Sequence, residues 1–116
     1  LDSKAKVAEK ARKMLAEPRA RAAVSSFFEQ WTGSRRLAVT TKSTTAFPDF
    51  TLELGAAMAA ELPAFVDHVL WSGDRSLKTL LTAPVAFVSA PLAAVYGVST
   101  PAGSATALQR VDLPAT

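Results

Sequence analysis

The chain has no cysteine, one histidine and one tyrosine, and its five glycines never cluster. Without cysteine, disulfides, cysteine-ligated zinc, iron–sulfur clusters and covalent c-type haem attachment are excluded within these residues. Scattered glycines build no phosphate-cradling loop. No apolar run approaches the length of about 18 residues that marks a spanning helix, so no membrane span is expected. No basic-then-apolar leader is read either, although a processed product would have lost it.

What is there suits one folded domain: 116 residues, 49% hydrophobic and 20% charged, enough to bury a core. The first residue is Leu and the last four are Leu-Pro-Ala-Thr, which leads to the expectation of a piece or processed product of a longer polypeptide. Apolar surface is then expected where a neighbour sits. The net charge of +3 conceals an asymmetry. Residues 1–36 carry nine Lys and Arg against four Asp and Glu, whereas residues 37–116 carry four against six. A basic end suits an anionic partner. Yet Lys4, Lys6, Lys10, Arg12 and Lys13 read first as the solvated side of a helix, and no interleaved aromatics supply a nucleic-acid platform. No nucleic-acid partner is therefore expected.

The stretch from Phe47 to Gly73 organises the rest. Gly55, Met58, Ala59, Leu62, Phe65, Val66, Val69 and Leu70 recur with the spacing of one helical face, predicting a long amphipathic helix from Leu52 to Trp71. Thr51 is placed to cap its start and Gly73 to take the left-handed position past its end. Pro63 lacks an amide proton, and with Gly55 it predicts a kink near Ala59 to Pro63.

Ahead of this helix, Asp2 or Ser3 caps a first helix running to about Glu17, with Val7, Ala11, Met14 and Leu15 as a narrow apolar stripe. Pro18 opens a second, closed by Gly33, whose Ala20, Ala23, Val24, Phe27, Phe28 and Trp31 are expected to pack on the central helix. Ser34 to Ala46 reads as a polar loop. Ser76 to Leu81 predicts a short helix with Leu77, Leu80 and Leu81 inward, interrupted at Ala83-Pro84. Ser89 as N-cap, Pro91 in the first turn and Gly97 at the end frame another helix. Val98 to Thr116 reads as a tail with one apolar alternation, Leu108 to Leu113, that needs a partner or is mobile. The expected fold is all-α, a small bundle of about four to five helices around a kinked central helix, with residues 1–97 as the domain and 98–116 as an irregular tail or linker.

An ordered set of features resembles the domain of unknown function 1592 family. They are KARKMLAEPRARAAVSSFFEQWTG (Lys10 to Gly33), Phe47-Pro48-Asp49-Phe50, Leu52 to Glu61, and SLKTLLTAPVAFVSAPLAAVYGV (Ser76 to Val98). Within them stand Pro-Arg, Phe-X-X-Gln-Trp and Leu-Ala-X-X-Tyr-Gly. The resemblance implies a helical accessory module of large exported planctomycete-type proteins that often carry c-type cytochrome domains. It places haem c in neighbouring domains of the parent protein, names those domains or chains as partners, and implies a periplasmic or cell-surface location. Two departures stand out. The family's Asp/Asn-rich phrase is replaced by small residues from Ala83 to Ala90, and Thr32 stands where Leu usually follows the tryptophan.

No catalytic, cofactor-binding or metal residue is assigned. His68 stands beside Asp67 but lacks the further ligands of a zinc or iron site. Glu53 and Glu61 are about 12 Å apart along a helix, beyond the reach of paired glycosidase carboxylates. Ser25, Ser26, Ser89 and Ser104 sit in no Gly-X-Ser-X-Gly elbow. Trp31, Trp71 and Tyr96 have faces suited to a sugar or a haem edge, but their spacing reads first as core, with Trp71 partly exposed. If the chain contributes to chemistry, Glu61, Asp67, His68 and Trp71 are the residues to carry it. Two functions follow: a non-catalytic helical interaction or scaffold module, or a fragment completing a redox or hydrolytic site with another domain. The second requires Glu61, Asp67 and His68 to converge in a cleft with perturbed acidities.

Overall fold

The computed structural model describes residues 3–99 and 107–114, and the fold is predominantly helical. Helix α1 (Lys4–Leu15) begins at Ser3, whose hydroxyl accepts a hydrogen bond from the Lys6 amide at 3.3 Å. Helix α2 (Pro18–Thr32) starts on its proline and stops at Gly33, in the left-handed conformation with φ 71°. Asp2 and Ser104, singled out in the sequence, lie outside the described residues.

The segment after Gly33 is not the loop its polar composition suggested. Ser34–Val39 forms a 3-10 helix that packs closely along α3 (Leu52–Asp67). Gly55 is the reason: a Cβ there would overlap the Leu37 carbonyl oxygen, so only glycine lets the two backbones meet. This contact, not helical periodicity, orders the segment, which is why the apolar pattern gave no sign of it.

Thr51 caps α3 as expected, its hydroxyl accepting from the Leu54 amide at 3.1 Å. The helix runs through Pro63 and then widens into a π-helical turn, His68–Ser72. That turn overruns the expected stop. Gly73 is extended, with φ −100°, and Arg75 takes the left-handed position instead, with φ 60°. The Arg75 amide donates to the Val69 carbonyl at 3.1 Å to close the end. Gly73 is still needed for close approach, since a Cβ would come within 3.0 Å of the Val69 carbonyl oxygen.

Helix α4 (Leu77–Thr82) is capped by Ser76, and of its three leucines only Leu80 is half-buried; Leu77 and Leu81 face solvent. A helix this short lifts most of its side chains clear of the body. Strand β1 (Val85–Val88) then turns Ala86 and Val88 inward before α5 (Ala90–Tyr96), which ends at Gly97 in the left-handed region. Ser89 occupies the N-cap position of α5, but its buried hydroxyl makes no capping bond. The Leu108 to Leu113 alternation finds its partner here. Strand β2 (Gln109–Asp112) pairs antiparallel with β1, Val85 opposite Asp112 and Val88 opposite Gln109, and the Leu113 amide extends the ladder to the Pro84 carbonyl. Within the tail, residues 109–112 are therefore a strand rather than irregular chain.

The core lies between α3, β1, α5 and β2. Leu54, Ala86, Val88, Leu92 and Ala93 are buried together, with Phe50, Ala57, Met58, Leu108, Val111 and Leu113 packed around them. The expected α2 contribution is met only in part: Ala20, Val24 and Phe28 are partly buried, whereas Ala23, Phe27 and Trp31 are exposed. Phe27 is 59% exposed and Trp31 67% exposed. Helix α2 meets α3, with Val24, Ser25 and Phe28 partly buried and Arg21 paired to Asp67 of α3. Of the three rings Phe28 is turned partly inward, and Phe27 and Trp31 face solvent. Val7, Met14 and Leu15 of α1 are likewise about half exposed, and α1 buries no residue. The molecule is elongated, 63 × 29 × 27 Å.

Candidate functional site

The four residues singled out in the sequence all lie on α3 and its π-helical extension, but they do not form one cluster. Asp67 and Trp71, one helical turn apart, share Arg21 of α2. The guanidinium pairs with the Asp67 carboxylate at 3.5 Å and lies 5.4 Å above the centre of the Trp71 ring. Arg21 therefore spends its charge on both partners at once, and a depression of about 290 Å³ opens beside them.

Glu61 and His68 belong to the other side, toward β1. The Tyr96 hydroxyl donates to the Glu61 carboxylate at 2.9 Å and the Phe87 backbone amide donates to it as well. Burial raises the Glu61 carboxyl above its ordinary value of 4.5, and the two donors pull against that rise without cancelling it. Tyr96 responds in the same sense: burial first, then the bond and the negative charge of Glu61, push its phenol up to about 12. The His68 ring lies 5.5 Å from the Phe87 ring, tilted by 57°. Phe87 is thus the common neighbour of Glu61, through its backbone, and of His68, through its side chain. Met58, Glu61, Leu62, Phe65 and Val85 line a shallow depression of about 230 Å³ at this point.

Chemically, the Glu61 arrangement is a strut. Its carboxylate joins α3 to the last residue of α5 and to β1, and the two donors hold it in place. Among the described residues, no three His, Cys, Asp or Glu side chains gather to hold a metal ion. The sequence did not reveal Tyr96, Phe87 and Arg21 as partners. Tyr96 is 35 positions from Glu61 and Arg21 is 46 from Asp67, so no local spacing announces either pair.

The outward face of α2 is a second feature. Phe27 and Trp31 stack at 6.1 Å with planes 19° apart, and Phe28 meets both edge-on. With Ala23 and Gln30, Phe27 and Trp31 border an open depression of about 470 Å³. A family model described as PSD4, protein of unknown function (DUF1592), matches residues 1–98. The chain belongs to the DUF1592 family. No curated protein and no solved structure matches it. Among the described residues, the DUF1592 match takes in every α-helix, the 3-10 helix and β1, and β2 follows it. In this DUF1592 domain the Glu61–Tyr96 bond and the Phe27–Trp31 stack both fall inside the matched region.

Proposed function

We propose that this DUF1592 domain is a non-catalytic helical interaction module, a scaffold that docks onto other domains or chains of its parent protein through the aromatic face of α2. One observation carries the reading. Two large stacked rings, Phe27 and Trp31, stand more than half exposed on a helix that also meets α3. Exposed aromatic anchors beside a shallow depression are the usual energetic centre of a protein interface. The parent, on this reading, is an exported multidomain protein in which the neighbours include c-type cytochrome domains.

The test is reconstitution of the parent from two chains, this domain and the remainder, followed by calorimetric titration. Association is expected, and the pair Phe27→Ala, Trp31→Ala should weaken it by at least about tenfold, as hot-spot truncation does. Unchanged affinity in that variant would remove the reading. Haem staining and cell fractionation of the intact parent test the cytochrome and export components separately.

A further inference from the structure

We infer that α1 is a second docking element, one that receives an acidic amphipathic helix of a partner. The inference names a partner class for the interaction module proposed above and rests on that reading. Its evidence lies on a different helix. Over Lys4–Leu15 the helix carries four lysines and one arginine against a single acid, Glu9, giving it a charge of +4. Val7, Ala11 and Met14 follow at steps of four and three, with Leu15 beside them, and Val7, Met14 and Leu15 are 49%, 55% and 58% exposed. Placed on a helix at 100° per residue, Lys10 falls beside the Met14 edge of that stripe and Arg12 beyond its Leu15 edge.

Steps of four and three make a narrow seam of coiled-coil type, suited to the side chains of one facing helix. A bilayer surface asks for a broader apolar face with aromatic or long aliphatic residues, and α1 has no aromatic residue. A second copy placed symmetrically on the same seam would set one +4 helix against another. Charge complementarity thus calls for carboxylates flanking the partner's apolar seam. Main-chain packing does not obstruct the approach, since α1 buries none of its residues and its principal neighbour among the other elements is α2.

The test uses the full chain and a labelled synthetic helical peptide about three heptads long, with Leu along the seam and Glu flanking it. Fluorescence anisotropy should show saturable binding that weakens about tenfold as added salt shortens the Debye length. Val7→Asp with Met14→Asp should abolish it. Both side chains are about half exposed, so the fold is expected to persist, to be checked by circular dichroism. A Lys-flanked peptide that binds equally well overturns the inference, as does binding to phosphatidylglycerol vesicles with none to the peptide. A third outcome separates the two readings. If Phe27→Ala with Trp31→Ala abolishes peptide binding while the α1 variants do not, this inference fails and the role of α2 stands. If the parent's two chains associate independently of α2 while the peptide still needs α1, the reverse holds.

Discussion

Replacing Gly55 with alanine sets two effects of opposite sign against each other, and the structure decides between them. In an exposed helix the change would add about 1 kcal/mol through better helix propensity. At Gly55 the added methyl would fall on the Leu37 carbonyl oxygen, with the Phe50 ring 3.3 Å away on another side. A backbone carbonyl inside a 3-10 helix cannot swing aside as a side chain tip can. The helices must part, and overpacking of this kind costs about 1–3 kcal/mol or more. With the loss of the α3 contact that orders Ser34–Val39, the net expectation is a destabilisation of about 2 kcal/mol. For a domain of this size that corresponds to a fall of about 8 °C in melting temperature. Thermal melts followed by circular dichroism measure it. Ala56→Gly, on the exposed neighbouring position, is the control and should lose about 1 kcal/mol through propensity alone. A Gly55→Ala protein that melts at or above the parent temperature would show that the 3-10 helix does not seat on α3 in this way.

Tyr96 is the only tyrosine, so its phenol can be followed alone by ultraviolet absorbance. Its folded value of about 12 lies above the ordinary 10.0, so the stability it contributes is present below pH 10 and lost as pH rises through about 12. Glu61→Gln should move the titration midpoint downward, and an unchanged midpoint would contradict the pairing. Glu61 is also raised, so its protonated form is favoured in the fold; the stability this gives is present below about its ordinary 4.5 and lost as pH rises through the folded value. Denaturation profiles between pH 3 and 7 of the native chain and Glu61→Gln should therefore diverge as pH rises above the ordinary 4.5 of Glu61. Leu92→Ala removes a fully buried side chain and should cost about 2–5 kcal/mol by urea denaturation, whereas Trp31→Ala, 67% exposed, should stay within about 0.5 kcal/mol.

Helices were legible where their signals are local. Ser3 and Thr51 cap as their hydroxyls predict, Pro18 and Pro91 open helices, and Gly33 and Gly97 close them, but Ser89 makes no capping bond and Ser76, read as helical, is a cap instead. Of the face read from Gly55 to Leu70, Gly55, Val66 and Val69 are buried and the others partly so, but the buried core residue Leu54 was not among them. What failed was tertiary choice. Periodicity finds an apolar stripe on α2 but cannot say how much of it a partner covers, and only Ala20, Val24 and Phe28 of it are partly buried. The β1–β2 pairing joins residues 21 to 27 apart, with a whole helix between them, so neither run announces the other. Glycine at 55 read as a weak helix former, and its role in admitting the Leu37 carbonyl depends on a segment with no periodic signal at all. Of the four candidate residues, chain order placed Asp67 beside His68, but successive helical positions point about 100° apart, and they meet different neighbours.

The strand pairing also fixes the timetable of assembly on the ribosome. Ala86, Val88, Leu92 and Ala93 leave the exit tunnel well before Val111 and Leu113, which pack beside them. At about 5–20 residues per second the delay is a second or more. During it β1 presents a bare edge, an invitation to pair with the wrong chain. Nascent chains stalled just short of Gln109 should thus recruit holdase chaperones, and those released after Leu113 should not.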